Sequence, residues 1–231
     1  MTTLQDRSVL VIGATGGLGA AISRCLASEG ASLTLHGRDE GRLESLGLPA
    51  TLVTGDLRDA DTATRAVAAA METHGRLDGV VIASGVVAFG PVGELPDDVL
   101  LDLFLINTLG PIRVIRSALP HLVTSGAEGR SPFVVSLSAV VAEQPTAGMA
   151  AYSATKAALT AYDAAAGREL RRAGIRLVDA RPPHTETGLA DRPVAGVAPR
   201  LPQGLTPDAV AARVVAAVLD DEKDLPSSAF L

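Results

Sequence analysis

The sequence predicts an α/β fold, a doubly wound parallel sheet of six to seven strands with helices on both faces. Three observations carry that expectation. Short β-branched apolar runs alternate along the chain with alanine- and leucine-rich amphipathic stretches, the pattern of parallel strands buried between two helical layers. The first of these runs ends in a cluster of glycines that leads straight into a helix. At 231 residues the chain fits one ordinary α/β domain with a full core, and no stretch of it reads as a linker.

In chain order, the run Ser-Val-Leu-Val-Ile makes 8–12 a strand, and the amphipathic stretch after the glycines makes 17–29 a helix. A second apolar run at 32–36 precedes a helix over 39–46, with Asp39 as its N-cap. The same alternation gives a strand at 50–54, a helix at 59–74 and a strand at 79–83. A helix from 96 to 106 continues past Pro111 to 122, followed by a strand at 132–137 and an alanine-rich helix over 151–173. A strand at 176–180 and a helix at 207–219 complete the alternation. Residues 184–204 are rich in proline and glycine, with Pro193, Pro199 and Pro202, and read as a long loop or short helices. A loop of that length usually serves function, which makes it the candidate substrate loop of a single domain spanning 1–231.

Composition narrows the function. A net charge of -6 gives no electrostatic support to a nucleic-acid or anionic-membrane partner, so a small-molecule ligand is expected. Cys25 is the only cysteine and the four histidines are dispersed, which leaves no disulfide framework and no metal site to expect. The first five residues carry no basic segment, and the apolar stretch at 9–12 is too short for a signal or a membrane span. A soluble, cytoplasmic protein is the expectation.

The strongest functional statement lies in Tyr152-Ser153-Ala154-Thr155-Lys156, which holds one of two tyrosines and one of two lysines in the chain. Four positions apart on a helix, the phenol and the ammonium share a face about one turn apart. Bringing a phenol from ~10 to ~7 takes about 4 kcal/mol. A charge ~4 Å away at an effective dielectric of ~20 supplies about that much, so the pair suits proton transfer near neutrality. A buried tyrosine beside a solvated lysine on an amphipathic helix is the competing reading.

The glycine cluster Gly13-Ala14-Thr15-Gly16-Gly17-Leu18-Gly19 stands at a strand-to-helix turn. Such a turn lets backbone approach a pyrophosphate whose charge sits at the helix N-terminus. A purely structural tight turn uses the same residues.

Together, the glycine spacing and the tyrosine-lysine pair resemble the short-chain dehydrogenase/reductase family, over essentially the whole chain. Gly13, Gly17 and Gly19 match its TGxxxGxG pattern, with Ile12 in place of the threonine, and Thr15 and Leu18 fall within the turn. The resemblance implies a Rossmann-type sheet of order 3-2-1-4-5-6 and a nicotinamide dinucleotide cofactor. Asp56 and Leu57 take the place of the family's adenine-contacting segment, Asp56 reading equally as a turn residue. At the family's NNAG motif only Gly85 matches. Where NAD-selective members carry a carboxylate, this chain has Gly37 followed by Arg38, which implies NADP over NAD; a merely solvated Arg38 is the alternative.

At the chemical end the resemblance implies Tyr152 as proton donor or acceptor, and Lys156 as ribose contact and electrostatic partner. Asn107 takes the place of the family's catalytic asparagine. Pro111 lies four residues later and cannot bond the Asn107 carbonyl, so a helix gains a free acceptor in its middle. In the family that oxygen holds a relay water; an ordinary kink with a solvated amide is the other reading. The family's carbonyl-binding serine falls at Ala139, and only a kinked strand end would let Ser138 replace it, since side chains alternate. Pro182 and Thr187 match the family's PGxxxT segment, with Pro183 for its glycine, and Thr185 and His184 lie between them. A seventh strand is expected only if 227–231 forms a short edge. The resemblance implies a homodimer or homotetramer that transfers hydride between NADP(H) and a small carbonyl or secondary alcohol. The gap at Ala139 keeps open a catalytically weakened member with a regulatory or structural role.

Overall fold

The computed structural model describes residues 2–231. Strands β1 (Ser8–Ile12), β2 (Ser32–Gly37), β3 (Ala50–Thr54), β4 (Gly79–Ile82), β5 (Phe133–Leu137), β6 (Arg176–Ala180) and β7 (Asp224–Leu225) form one sheet of order β3-β2-β1-β4-β5-β6-β7. Every pairing is parallel. The order reverses between β1 and β4, and a sheet of this kind opens its ligand crevice at that switch, across the carboxyl ends of the strands.

Helices α1 (Gly17–Ser28), α2 (Glu40–Glu44), α3 (Thr62–His74), α4 (Asp97–Phe104), α5 (Gly110–Ala127), α6 (Ala150–Arg172) and α7 (Pro207–Leu219) fill the connections. Alternation along the strands divides the core into two. Val9, Val11, Leu33, Leu35, Val135 and Val178 face one layer, which includes Ile22 and Leu26 of α1 and Val214 and Val218 of α7. Leu10, Ile12, Val80, Ile82, Val134 and Leu177 face the other, against Ala66 and Ala70 of α3 and Val114 and Leu122 of α5. The continuously apolar strands follow from burial on both faces.

Three expectations are corrected. The seventh strand is Asp224–Leu225, not 227–231; Ser227–Phe230 is a 3₁₀ turn. Pro226 has no N–H to extend the ladder, and Ser227 bonds Glu143 through its N–H and hydroxyl instead. The helix expected to run from 96 to 122 is split by a π-helical turn, Leu105–Leu109, and its second part reaches Ala127. Pro111 lies in the first turn of α5, where a missing N–H is best tolerated. The helix expected at 39–46 is shortened to α2, and Asp39 caps it as expected by accepting from the Arg42 N–H at 2.9 Å.

At the end of the sheet remote from the crevice, Asp78 is 1% exposed and joins three elements. Its carboxylate accepts from the Ser8 N–H at 3.0 Å, from Ser125 Oγ at 2.7 Å and from Arg76 Nε at 3.2 Å. Replacing Asp78 with alanine leaves a buried N–H and a hydroxyl without an acceptor. Asp78→Ala should lower the unfolding free energy by about 3 kcal/mol in urea denaturation, a cost expected for breaking a buried charge-assisted network.

Candidate active site

A crevice of about 670 Å³ runs over the carboxyl ends of the strands, from the glycine turn to the 182–201 segment. At its phosphate end, Gly13 adopts φ +81°, and the Gly13 and Ala14 N–H groups donate to the His36 carbonyl at 3.0 and 2.9 Å. A Cβ at Gly19 would come 2.1 Å from the Gly13 carbonyl oxygen, and one at Gly17 would come 2.7 Å from Thr187 Cβ. Gly19 thus lets the helix fold back under the turn without itself lining the crevice, while Gly17 lets Thr187 pack against the turn. No side chain caps the first turn of α1, so its N–H groups are free to meet an anion. This glycine cradle fits the pyrophosphate of a dinucleotide.

Thr15, Leu18, Gly37 and Arg38 line the same end, Arg38 with its side chain exposed. Arg42 joins them and donates to the Thr15 carbonyl at 2.9 Å, bringing a second guanidinium to the rim. No motif signals it in the sequence, since Arg38 lies before the N-cap of α2 and Arg42 lies within that helix. His36, also on the wall, is 2% exposed, and burial holds its imidazole well below the usual range, at about 4, so it is neutral. Asp56 lines the crevice, but Arg58 engages both of its carboxylate oxygens at 2.9 Å and clamps Asp102 of α4 at 2.7 and 2.8 Å. The turn reading of Asp56 therefore accounts for its carboxylate, while Leu57 packs into the core beside it.

Tyr152 and Lys156 stand one turn apart on α6, 7% and 3% exposed, and both line the crevice. Lys156 is not solvated: its Nζ donates to the Leu137 carbonyl at the end of β5 at 2.8 Å. A Cβ at Gly85 would lie 3.5 Å from both Lys156 Nζ and Asn107 Oδ1, so Gly85 keeps the space between them clear. Asn107 is fully buried behind the crevice wall. Its Oδ1 accepts from the Val86 N–H, and its Nδ2 donates to the Val86 carbonyl, both at 2.9 Å, and to Thr155 Oγ1 at 3.1 Å. The reading of a solvated amide at a simple kink is thereby excluded.

Electrostatics depart from expectation. Burial pushes the Tyr152 phenol up to about 12 rather than down towards neutrality. Burial lowers Lys156 to about 8, with Asp179 and Asp163 working against that shift. The ammonium is turned to the Leu137 carbonyl, and desolvation of the phenol dominates. Ser138 lines the crevice, but its hydroxyl donates to Asp179 Oδ1 in β6, which commits its proton away from a ligand. Ala139 stands in extended conformation at the crevice, with φ -175° and ψ 164°.

The 184–204 loop is ordered by backbone pairing. Val194 N–H donates to the Val87 carbonyl at 2.8 Å, Phe89 N–H to the Ala195 carbonyl at 3.0 Å, and Thr185 bridges Leu205. Pro182 accepts from the Val140 N–H at 3.1 Å, and Thr185 Oγ1 donates to the Pro183 carbonyl at 2.9 Å. Pro182, His184, Thr185 and Thr187 all line the crevice, Thr187 against the glycine turn. Beside Tyr152 the wall is apolar: Val87, Phe89 and Val141, with Leu189 and Ala190 from the loop.

Similarity to known proteins agrees with this architecture. The model of the short chain dehydrogenase family matches residues 7–196. Ipsdienol dehydrogenase of Ips pini is 32% identical over 203 residues, 84% of this chain and 80% of its own. A putative ketoacyl reductase of the monensin polyketide synthase from Streptomyces virginiae is 31% identical over 206 residues, 86% of this chain and 78% of its own. In fold, the chain is similar to a 3-ketoacyl-(acyl-carrier-protein) reductase from Brucella melitensis complexed with NADH, with a TM-score of 0.86 at 22% identity over 99% of this chain and 100% of that one. A short chain dehydrogenase from Burkholderia cenocepacia in complex with NADP gives 0.84 at 21% identity, over 98% of this chain and 90% of that one. The chain belongs to the short-chain dehydrogenase/reductase family of oxidoreductases.

Proposed function

We propose that this short-chain dehydrogenase/reductase uses NADP(H) to interconvert a small, neutral carbonyl compound and its secondary alcohol. The observation that carries the reading is the Tyr152–Lys156 pair, buried in the crevice and aligned with a glycine cradle at its other end. Gly13 and Gly17 would admit the pyrophosphate to the N-terminus of α1, Arg38 and Arg42 would meet a 2′-phosphate, and Pro182 to Thr187 would border the nicotinamide. When bound, the cofactor supplies or takes up the hydride.

The chain's own part is orientation and proton transfer. With the phenol at about 12 and the lysine at about 8, Tyr152 keeps its proton and Lys156 its charge at neutral pH. That is the state needed to protonate a carbonyl oxygen during reduction. Asn107 holds Val86 and Thr155 in place around the pair, and its own carbonyl, which Pro111 cannot bond, is the natural seat for a relay water. Ala139 offers no hydroxyl and Ser138 spends its proton on Asp179, so Tyr152 is the principal donor to the developing oxyanion. A missing donor of that kind costs about 10² to 10³ in rate, which makes a modest enzyme. The apolar wall of Phe89, Val141 and Leu189 favours a substrate without charge beside the reacting carbon. Leu101, Phe104 and Leu109, 64%, 40% and 42% exposed along α4 and the π turn, support association into a dimer or tetramer of single-domain subunits. Among the described residues no helix is long and apolar enough to cross a membrane, in keeping with a cytoplasmic site of action.

Three outcomes test this reading. Tyr152→Phe should abolish NADPH-linked reduction of a panel of ketones and aldehydes while leaving NADPH binding within a few-fold; near-normal turnover by the variant would reject the mechanism. Fluorescence titration should give tighter binding of NADPH than NADH, and Arg38→Asp should erase the preference; equal affinities in the unaltered protein would reassign the cofactor. Light scattering at micromolar concentration should give a dimer or tetramer, and a monomer would remove the proposed interface.

A further inference from the structure

Beneath α6, the sheet face that is apolar at Val134 and Leu177 becomes polar one strand-step later, at Ser136, Ser138, Asp179 and Arg181. Ser136 and Asp179 are register partners across β5 and β6, and all four residues are less than a tenth exposed. Most of this layer is paired. Asp179 accepts from Ser138 and, at 2.6 Å, from Arg181 Nη1. Arg181 divides its remaining donors between Glu143 and Asp224.

Ser136 and, facing it from α6, Asp163 are the exceptions. Asp163 lies seven residues after Lys156 on α6, which places both on the same face two turns apart. It is 2% exposed, and neither carboxyl oxygen has a hydrogen-bond partner. Ser136 Oγ, itself unpartnered, lies against it from β5 and favours its ionised form without completing a bond. The charged groups that act on it are Asp179 and Arg181 of β6 and Lys156 of its own helix. Arg181 already serves three carboxylates, so Lys156 is the one cation not otherwise committed to an anion.

We propose that Asp163 is a positioning residue for the reaction: sealed under α6, its carboxyl forms a proton-coupled pair with Lys156 and sets the pH up to which that lysine remains an ammonium. The inference rests on the role assigned to Lys156 beside Tyr152. Burial opposes both charges and brings them into one window, raising the Asp163 carboxyl to about 8 and lowering Lys156 to about 8. Each charge stabilises the other, so the two groups titrate as a unit. At neutral pH the pair is a neutral acid and an ammonium. As pH rises, ionisation of Asp163 places a carboxylate two helical turns from the lysine, across a buried interior that screens little, and the ammonium persists further into the alkaline range.

The linkage also predicts stability. A carboxyl raised in the folded state contributes stability that is full below its unfolded value near 4 and is lost as pH rises through about 8. Asp163→Asn removes that loss, so the variant should fold and should gain stability relative to the parent at pH 8.

With two lysines in the chain, Lys223→Arg leaves Lys156 as the only one, and ¹³C-labelled lysine then reports its titration by NMR without cofactor. Asp163→Asn should lower the Lys156 midpoint by about one pH unit, and the alkaline limb of kcat/KM should move down with it. With Asp163 intact, the Lys156 resonance should respond to two ionisations. An unmoved midpoint, or a single-step curve in the chain with Asp163 intact, overturns the coupling and needs no turnover to read. A moved midpoint with an unmoved kinetic limb would overturn the part assigned to the pair in the reaction and would place the fault in the role given to Lys156.

Discussion

The Asn107 carboxamide meets the Val86 backbone much as a neighbouring strand would, accepting its N–H and donating to its carbonyl, and it spends its second amide proton on Thr155. Three elements converge on that one side chain: the segment leaving β4, the π turn and α6. Val86 has left the sheet, so without Asn107 its backbone groups would be buried and unpaired, a cost that falls on each group separately. The π turn is the local form that lets the chain present Asn107 inward while α5 resumes behind it. Thr155 sits between Tyr152 and Lys156, so the same amide also fixes the rotation of α6 about its axis. Gly85 follows from this arrangement, since a larger residue would enter the gap between Asn107 and Lys156.

That mechanical order sets up an electrostatic conflict. An ordinary sheet face under a helix would be apolar, as it is a few residues earlier at Val134 and Leu177. Here the helix carries Lys156 and Asp163 into the interior, and the strands answer with Asp179, Arg181 and two serines. Buried ionic layers seldom add stability over a packed apolar core, because desolvation consumes most of the Coulomb gain. Their position directly behind the proton-transferring pair gives this layer a different use. Burial lowers the lysine's pKa, and the layer's carboxylates, Asp179 first and then Asp163, work against that shift, which leaves the lysine protonated at neutral pH.

The features legible in the sequence were those with fixed local spacing. The glycine turn, the tyrosine-lysine pair and the βα alternation depend on residues within one element or one turn, and the family resemblance rested on them. Asn107 was legible through Pro111, four residues away, although the bonds that matter run to Val86 and Thr155. Ser138 was a candidate donor because nothing nearby shows that Asp179, 41 residues on, takes its proton. Tyr152 illustrates the limit of reasoning from a pair distance: the charge was foreseen, but the cost of burying the phenol depends on walls contributed by three separate segments. Arg42 and His36 reach the crevice through folding alone, one from within α2 and the other from near the end of β2.

Arg181 carries the buried layer outward and explains why a two-residue strand suffices at the sheet edge. Its guanidinium bonds Asp224 of β7 with both carboxylate oxygens, at 2.8 and 2.9 Å, while its backbone N–H donates to the Leu225 carbonyl at 2.9 Å. Glu143, in the segment following Ala139 and Val140, takes another arm of the same guanidinium and then binds Ser227. The edge strand is therefore fixed by a side-chain fork as well as by its ladder, and the planar guanidinium sets the directions of the fork's arms. Through it, the last residues of the chain, the crevice wall beside Ala139 and the Asp179 carboxylate behind Lys156 share one cation. A change that weakens the edge would leave Arg181 with fewer carboxylates to share, concentrate its charge on Asp179 and so alter the field at the lysine, coupling a peripheral strand to the chemistry through charge rather than contact.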